Sequence, residues 1–392
     1  MGMRVLISGG GIAGMAAAWW LERAGAEVTI VERARRFRRL GHYITLKSHG
    51  VRTLEAMGLL GACRERELVF RELKVHAPDG RLLRRVDASM LARNVDGMVL
   101  FQRAELHAAL YDAVRARTDV RFGAEVQAIR PAGDSVEVDL PGGTERVDLF
   151  LGADGIHSHA RTLLFGDGGL SPMGGLYVAV AVDCRHGLAP GAVATYMGRG
   201  QVVTLYPRTD ESIAAVIYHG DGGATPAGRD ARSVREFLLH AYRGFAPEVR
   251  RTFDALDEHS FVFMDAIAMV TLPAITRGRV ALLGDAAHCP TFMSGMGASL
   301  ALQGAHALSR ALDEHRGDLV AGVAAYERAI TGVARGYQHS ARKMRRFLLD
   351  RGRLPAATRD LLVRWTPDWV LGLSARRFYH ANQVMEEGAA RP

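Results

Sequence analysis

What most restricts this chain is its opening stretch. A short apolar run, Arg4-Val5-Leu6-Ile7-Ser8, ends in Gly9-Gly10-Gly11-Ile12-Ala13-Gly14. An alanine-rich segment follows and stops at Gly25, and the chain resumes as Glu27-Val28-Thr29-Ile30-Val31-Glu32. Periodicity and composition predict strand, glycine turn, helix, strand. With 44 glycines in 392 residues, a G-x-G-x-x-G arises by chance somewhere, so the flanking elements carry the information. In that setting Gly9 permits the tight turn, Gly11 lets the backbone approach a pyrophosphate, and Gly14 allows close helix-to-strand contact. The first helical amides, at Ile12 and Ala13, offer partial positive charge to phosphates. Glu32, followed by Arg33, stands where a carboxylate accepts both hydroxyls of an adenosine ribose. An acid there repels a 2′-phosphate, so the bound dinucleotide is FAD or NAD rather than NADP.

The length suits about two domains. With 48% hydrophobic and 23% charged residues the composition is that of a globular protein, and no run approaches the ~20 apolar residues of a membrane span. The apolar segment Met3 to Leu21 is studded with glycines and continues into Glu22-Arg23 without a small-residue cleavage site, so a cytoplasmic start is expected. Cys63, Cys184 and Cys289 lie far apart with no C-x-x-C pair, which predicts neither a disulfide framework nor a thiolate metal site. The net charge of +8 rests on arginine, since only Lys47, Lys74 and Lys343 are lysine. These arginines are scattered, with no stacking module or zinc spacing, and favour anionic small molecules over nucleic acid.

Two later segments each predict a strand delivering a turn. One runs from Val147 to Arg161 through Gly152-Ala153-Asp154-Gly155. The other runs from Gly278 through Gly284-Asp285-Ala286-Ala287-His288-Cys289-Pro290 to Ser294-Gly295-Met296-Gly297-Ala298, then a helix to Leu312. Three motifs in this order resemble the single-component, group A flavoprotein monooxygenases, the para-hydroxybenzoate hydroxylase family, over roughly residues 3–335. The resemblance implies a mixed α/β chain with a Rossmann-like FAD-binding domain from 1–70, 100–172 and 273–338. It also implies a substrate-binding β-sheet domain from 71–99 and 173–272, and C-terminal helices over 339–392. It implies that Asp285 in the Gly284-Asp285 loop binds ribityl hydroxyls, that Arg103 helps hold FAD, and that Asp154 braces the region where the nicotinamide approaches. Pro290 and the backbone of Gly295, Met296, Gly297 and Ala298 belong to the same contact.

One departure matters. The family's Gly-Gln-Gly-x-Asn, with an acid five residues later, appears here as Gly295-Met296-Gly297-Ala298-Ser299 with Gly304. The polar side chains are gone, so contact to the flavin falls to the backbone. The Gly295 to Gly297 turn opens a helix, whose unpaired amides and dipole favour negative charge on a reduced flavin.

Because one G-x-G-x-x-G sits in a strand–turn–helix setting, NAD(P)H is expected as a transient hydride donor and not a resident. The resemblance then implies O2 activation as a C4a-hydroperoxyflavin and insertion of oxygen into an aromatic or polycyclic small molecule. The compact length and helical tail are similar to flavoenzymes that oxidise polycyclic natural products or inactivate tetracyclines. A flavin-dependent reductase or dehydrogenase of the same fold, without oxygen insertion, stays open. The strands Leu176–Val182, Ala192–Met197, Gln201–Tyr206, Ser212–His219 and Ser260–Thr271 are predicted to cover the reactive face. Tyr196, Tyr206 and His219 are candidates to orient or deprotonate a phenol. His288 and Cys289 are expected to pack, Met264, Met269, Met293 and Met296 to line a cavity softly, and residues 356–385 to fold back onto the body.

Overall fold

The computed structural model describes residues 2–37, 42–68, 70–90, 97–209, 211–220, 225–349 and 356–370. The strand Arg4–Ser8 lies in the middle of a six-stranded sheet, flanked by Glu27–Glu32 and Leu149–Gly152, with Asp119–Phe122 at one edge and Val280–Leu282 and Thr276–Arg277 at the other. Its pairings with both neighbours are parallel. Val5, Leu6, Ile7, Leu149, Phe150, Leu151, Val280, Ala281 and Leu282 are essentially without exposure, as expected for parallel strands covered on both faces. Helix Ile12–Arg23 packs on helix Gly297–Glu314. The glycine turn is sterically obligatory at two points: a Cβ on Gly14 would lie 2.0 Å from the Gly9 carbonyl oxygen, and one on Gly9, at φ +106°, 2.5 Å from that of Ala153.

A seven-stranded sheet forms the second layer, in the order Phe261–Val270, Leu170–Asp183, Ser212–His219, Gln201–Thr209, Ala192–Met197, Glu72–His76, Leu82–Asp87. Its two faces meet different partners. Val178, Val180, Tyr196, Val203, Leu205 and Ile217 pack against the helices Ala231–Ala241 and Pro247–Asp254. Tyr177, Ala179, Tyr206, Val216 and Tyr218 face the other way, toward Met293 and Phe292. This is the period-two alternation of a strand.

A ribbon of Tyr43–Lys47 and Met98–Gln102 joins the two layers. The strand Met98–Gln102 thus pairs with Tyr43–Lys47 in a two-stranded sheet of its own and with neither larger sheet. Helix Leu319–Leu349 runs unbroken through the boundary expected at residue 338. Its Tyr326 hydroxyl donates to the Leu282 carbonyl at 3.0 Å and its Gln338 amide to the Val270 carbonyl at 2.7 Å. Its Ala341 and Leu349 reach the face of the large sheet that bears Tyr177. Helix Ala356–Trp365 does fold back, with the buried Arg359 donating to the carbonyls of Met197, at 2.7 Å, and Gly198. The expectation for 371–385 lies outside the described residues. No helix among the described residues is long and apolar enough to cross a membrane.

Candidate active site

Two adjoining clefts, of about 270 and 210 Å³, share Gly11, Arg103, Ala153 and Gly155 in their walls. The smaller opens over the glycine turn and is bounded by Ser8, Gly9, Glu32, Arg33, Asp154 and His157. Glu32 accepts hydrogen bonds from the amides of Gly10 at 2.9 Å and Ala34 at 2.8 Å, so its carboxylate is fixed with lone pairs to spare. His107, which no sequence motif marks, tethers the same turn through Nε2 and the Gly10 carbonyl at 2.6 Å.

Helix Ile12–Arg23 has neither a capping side chain nor an acid in its first turn, leaving its amides to an outside anion. A Cβ on Gly11 would meet nothing within 4 Å. The contrast with Gly14 separates the two roles: Gly14 is needed by the protein, and Gly11 faces open space. Asp154 is spent on its own loop, accepting from the Ser158 hydroxyl and the Ala160 amide. Arg161 ties that loop to the next, donating to the carbonyls of Ile156 at 2.8 Å and Ala286 at 3.2 Å.

The larger cleft continues past Ile12 and Ala13 to Asp285, Cys289, Pro290, Thr291, Gly295, Gly297 and Ala298. Burial pushes the Asp285 carboxyl up, while Cys289 and the Arg103 guanidinium pull it down. Arg103 starts helix Arg103–Val114, where the end of the ribbon delivers it into both clefts. Helix Gly297–Glu314 likewise lacks a capping side chain and a first-turn acid. Gly295 sits in the left-handed region at φ +61°, and a Cβ on Gly297 would lie 3.6 Å from Asp285 Oδ1. Met296 turns its side chain entirely into the core, so only backbone is offered at this turn. Two uncapped helix starts, a fixed carboxylate at one end, and Arg103 and Asp285 in the cleft wall fit an elongated, anionic dinucleotide such as FAD.

The far end of the larger cleft is aromatic. Tyr177 stacks on Phe292 with centroids 4.2 Å apart and Tyr43 on Tyr206 at 5.6 Å, while His42 and Tyr218 meet Tyr177 edge-on. Burial raises the phenols of Tyr177 and Tyr218 well above the usual range and that of Tyr206 to about 12. Burial, reinforced by Arg103, lowers the His42 imidazole to about 3.

Of the three substrate candidates, only Tyr206 lines this chamber. Tyr196 is a correction: it points through the opposite face of the sheet, fully buried, and its hydroxyl donates to Glu248 at 2.5 Å. His219 is another, buried beside Tyr242 with Nδ1 3.3 Å from that hydroxyl. Strand alternation separates Tyr218 from His219 but does not say which faces the cavity, and the structure selects Tyr218. The four methionines do not line the cleft either; Met269, Met293 and Met296 are core. His288 packs as expected, whereas Cys289 touches the cleft.

The chain matches the FAD binding domain family over residues 2–328. It is 30% identical over 354 residues to the FAD-dependent urate hydroxylase of Mycolicibacterium vanbaalenii, spanning 87% of each protein. It is 28% identical over 350 residues to the FAD-dependent monooxygenase asL4 of Sarocladium schorii, covering 81% of this chain and 77% of that one. Among solved structures, Klebsiella pneumoniae HpxO complexed with FAD and uric acid superposes with a TM-score of 0.85 at 24% identity over 97% of both chains. Family match, relatives and cleft agree: the chain belongs to the FAD-binding-domain family and, within it, to the FAD-dependent monooxygenases.

Proposed function

We propose that this monooxygenase uses NAD(P)H and O2, in the cytoplasm, to hydroxylate a flat, uncharged aromatic or polycyclic molecule. The observation that carries the reading is the neutral aromatic chamber of His42, Tyr43, Tyr177, Tyr206, Tyr218 and Phe292 continuous with the dinucleotide cleft. With the phenols protonated and the imidazole neutral at physiological pH, these six aromatic side chains carry no charge to meet an ionised substrate. Arg103, its one cation among the described lining residues, is drawn to Asp285. Ring compounds named with similar structures support a small planar ligand: uric acid in HpxO, and 2-aminobenzoylacetate in Pseudomonas aeruginosa PqsL, which is 27% identical over 90% of this chain.

In this reading residues 1–70, 100–172 and 273–338 hold FAD, and 71–99 with 173–272 roof the substrate. Glu32 takes the ribose, Gly9 to Gly14 the pyrophosphate, Asp285 the ribityl chain, and the Gly295–Ala298 backbone the pyrimidine edge. FAD, when bound, supplies hydride acceptance and oxygen activation. The chain's own work is to position the ring against it, exclude water behind Tyr177 and Phe292, and keep the substrate neutral until it reacts. The test is mass spectrometry of the product formed under labelled O2 with NADPH or NADH. Gain of one labelled oxygen is expected; a product reduced or dehydrogenated without label contradicts the assignment.

A further inference from the structure

Several polar side chains of the chamber have no hydrogen-bond partner among the described residues: the hydroxyls of Tyr43, Tyr177 and Tyr206, and the imidazole of His42, the one nitrogen acceptor among the described lining residues. His42 precedes the strand Tyr43–Lys47, and its carbonyl accepts from the Arg103 amide at 2.9 Å. Tyr43 pairs with Gln102, so backbone alone fixes His42 beside Arg103. The imidazole is boxed by rings: edge-on to Tyr177 at 5.3 Å, tilted against Phe263 at 5.6 Å and edge-on to Phe292 at 6.2 Å. Among the described residues nothing hydrogen-bonds either ring nitrogen.

Three of its polar neighbours are engaged elsewhere. The Tyr218 hydroxyl donates to the Phe292 carbonyl at 3.3 Å, the Thr291 hydroxyl accepts from the Met293 amide at 2.9 Å, and Asp285 interacts with Arg103 and Cys289. The half-buried His42 imidazole opens onto the cleft, where a polar group without a protein partner is left to a ligand or to water. A neutral imidazole carries one N–H and one bare acceptor nitrogen. The apolar box and the Arg103 charge both oppose proton uptake, so that acceptor stays open.

We propose that His42 binds the substrate directly, accepting a hydrogen bond from a hydroxyl or ring N–H, and so selects donor-bearing aromatics over their O- or N-methylated analogues. This rests on the chamber being the substrate site. No complete proton transfer is required. The O–H or N–H bond lengthens toward the imidazole, electron density moves into the ring, and the carbon ortho or para to the donor becomes more nucleophilic. A methylated analogue leaves the imidazole acceptor buried and unpaired, which is how a polar site rejects an isostere lacking its donor.

The experiment titrates FAD-loaded enzyme with matched probes, 1-naphthol against 1-methoxynaphthalene and carbazole against N-methylcarbazole. Perturbation of the flavin spectrum reads binding, and incorporation of labelled O2 reads chemistry. For wild type the donor-bearing member is expected to be favoured roughly ten- to hundredfold in kcat/KM. His42→Gln, whose amide oxygen still accepts, keeps the preference; His42→Phe, which fills the box without an acceptor, abolishes it. Should His42→Phe lose FAD, the wild-type discrimination and the Gln variant decide. Equal oxygenation of both members by wild type, or a preference that survives in His42→Phe, overturns the role of His42 while leaving the monooxygenase reading intact. No flavin response and no oxygen gained by any probe overturns the chamber as a substrate site, and His42 with it.

Discussion

Glu32 carries two loads at once. Its carboxylate orders the glycine turn through the Gly10 and Ala34 amides and is the group assigned to the ribose. Glu32→Ala is expected to weaken FAD by about 1–3 kcal/mol, the range for hydrogen bonds to a charged acceptor, with a smaller fall in apoprotein stability. Fluorescence titration of FAD checks it, and wild-type affinity contradicts it. His288 makes a prediction about pH. It is 5% exposed, neither ring nitrogen finds a partner among the described residues, and burial lowers its pKa to about 4. An unfolded histidine titrates near ~6.5, so between these values the unfolded chain binds the extra proton. The stabilisation is therefore complete above the unfolded value and is lost as pH falls toward 4, at about 1.4 kcal/mol per pH unit. Urea melts at pH 7 and 5 should show His288→Leu losing less stability than wild type on acidification, by about 2 kcal/mol. Equal losses contradict it.

At the scale of elements, the opening unit was readable because its evidence is local: strand, turn and helix announce themselves within one stretch of chain. The same locality gives a paired test. Gly14→Ala forces a Cβ against the Gly9 carbonyl and is expected to abolish FAD uptake and lower the melting temperature sharply. Gly11→Ala places a methyl in open space and should leave the apoprotein melt within about 1 kcal/mol of wild type while FAD affinity collapses. A Gly11→Ala protein that binds FAD normally contradicts a pyrophosphate over that turn. The aromatic chamber proposed for the substrate is legible only by half. The alternation rule sorted Tyr206, Tyr218 and His219 onto faces, but which face meets the flavin depends on how the large sheet lies against the first unit, a long-range property. Tyr196 was misassigned for that reason. His42, Tyr177 and His107 fall in no motif, and their roles exist only once the ribbon Tyr43–Gln102 and the helix at Arg103 are brought together.

Across the whole molecule, the described tail is held by a buried arginine, Arg359, and by two arginines of the large sheet's edge hairpin, Arg81 and Arg84. Arg359 donates to Met197 and Gly198, and Arg84 and Arg81 reach the Val363 carbonyl and Asp360. Arg359→Ala leaves buried carbonyls unmet, at a cost of about 1–3 kcal/mol. It is expected to speed hydrogen exchange across 356–365 without changing FAD content; unaltered protection there contradicts the anchoring. Helix Leu319–Leu349, with 31 residues, is a rod about 46 Å long at 1.5 Å per residue. It is pinned to the parallel sheet near its start and to the underside of the seven-stranded sheet at its end. A continuous rod fastened at both ends acts as a brace, and any motion that parts the two sheets has to break the Tyr326 and Gln338 hydrogen bonds or bend the helix.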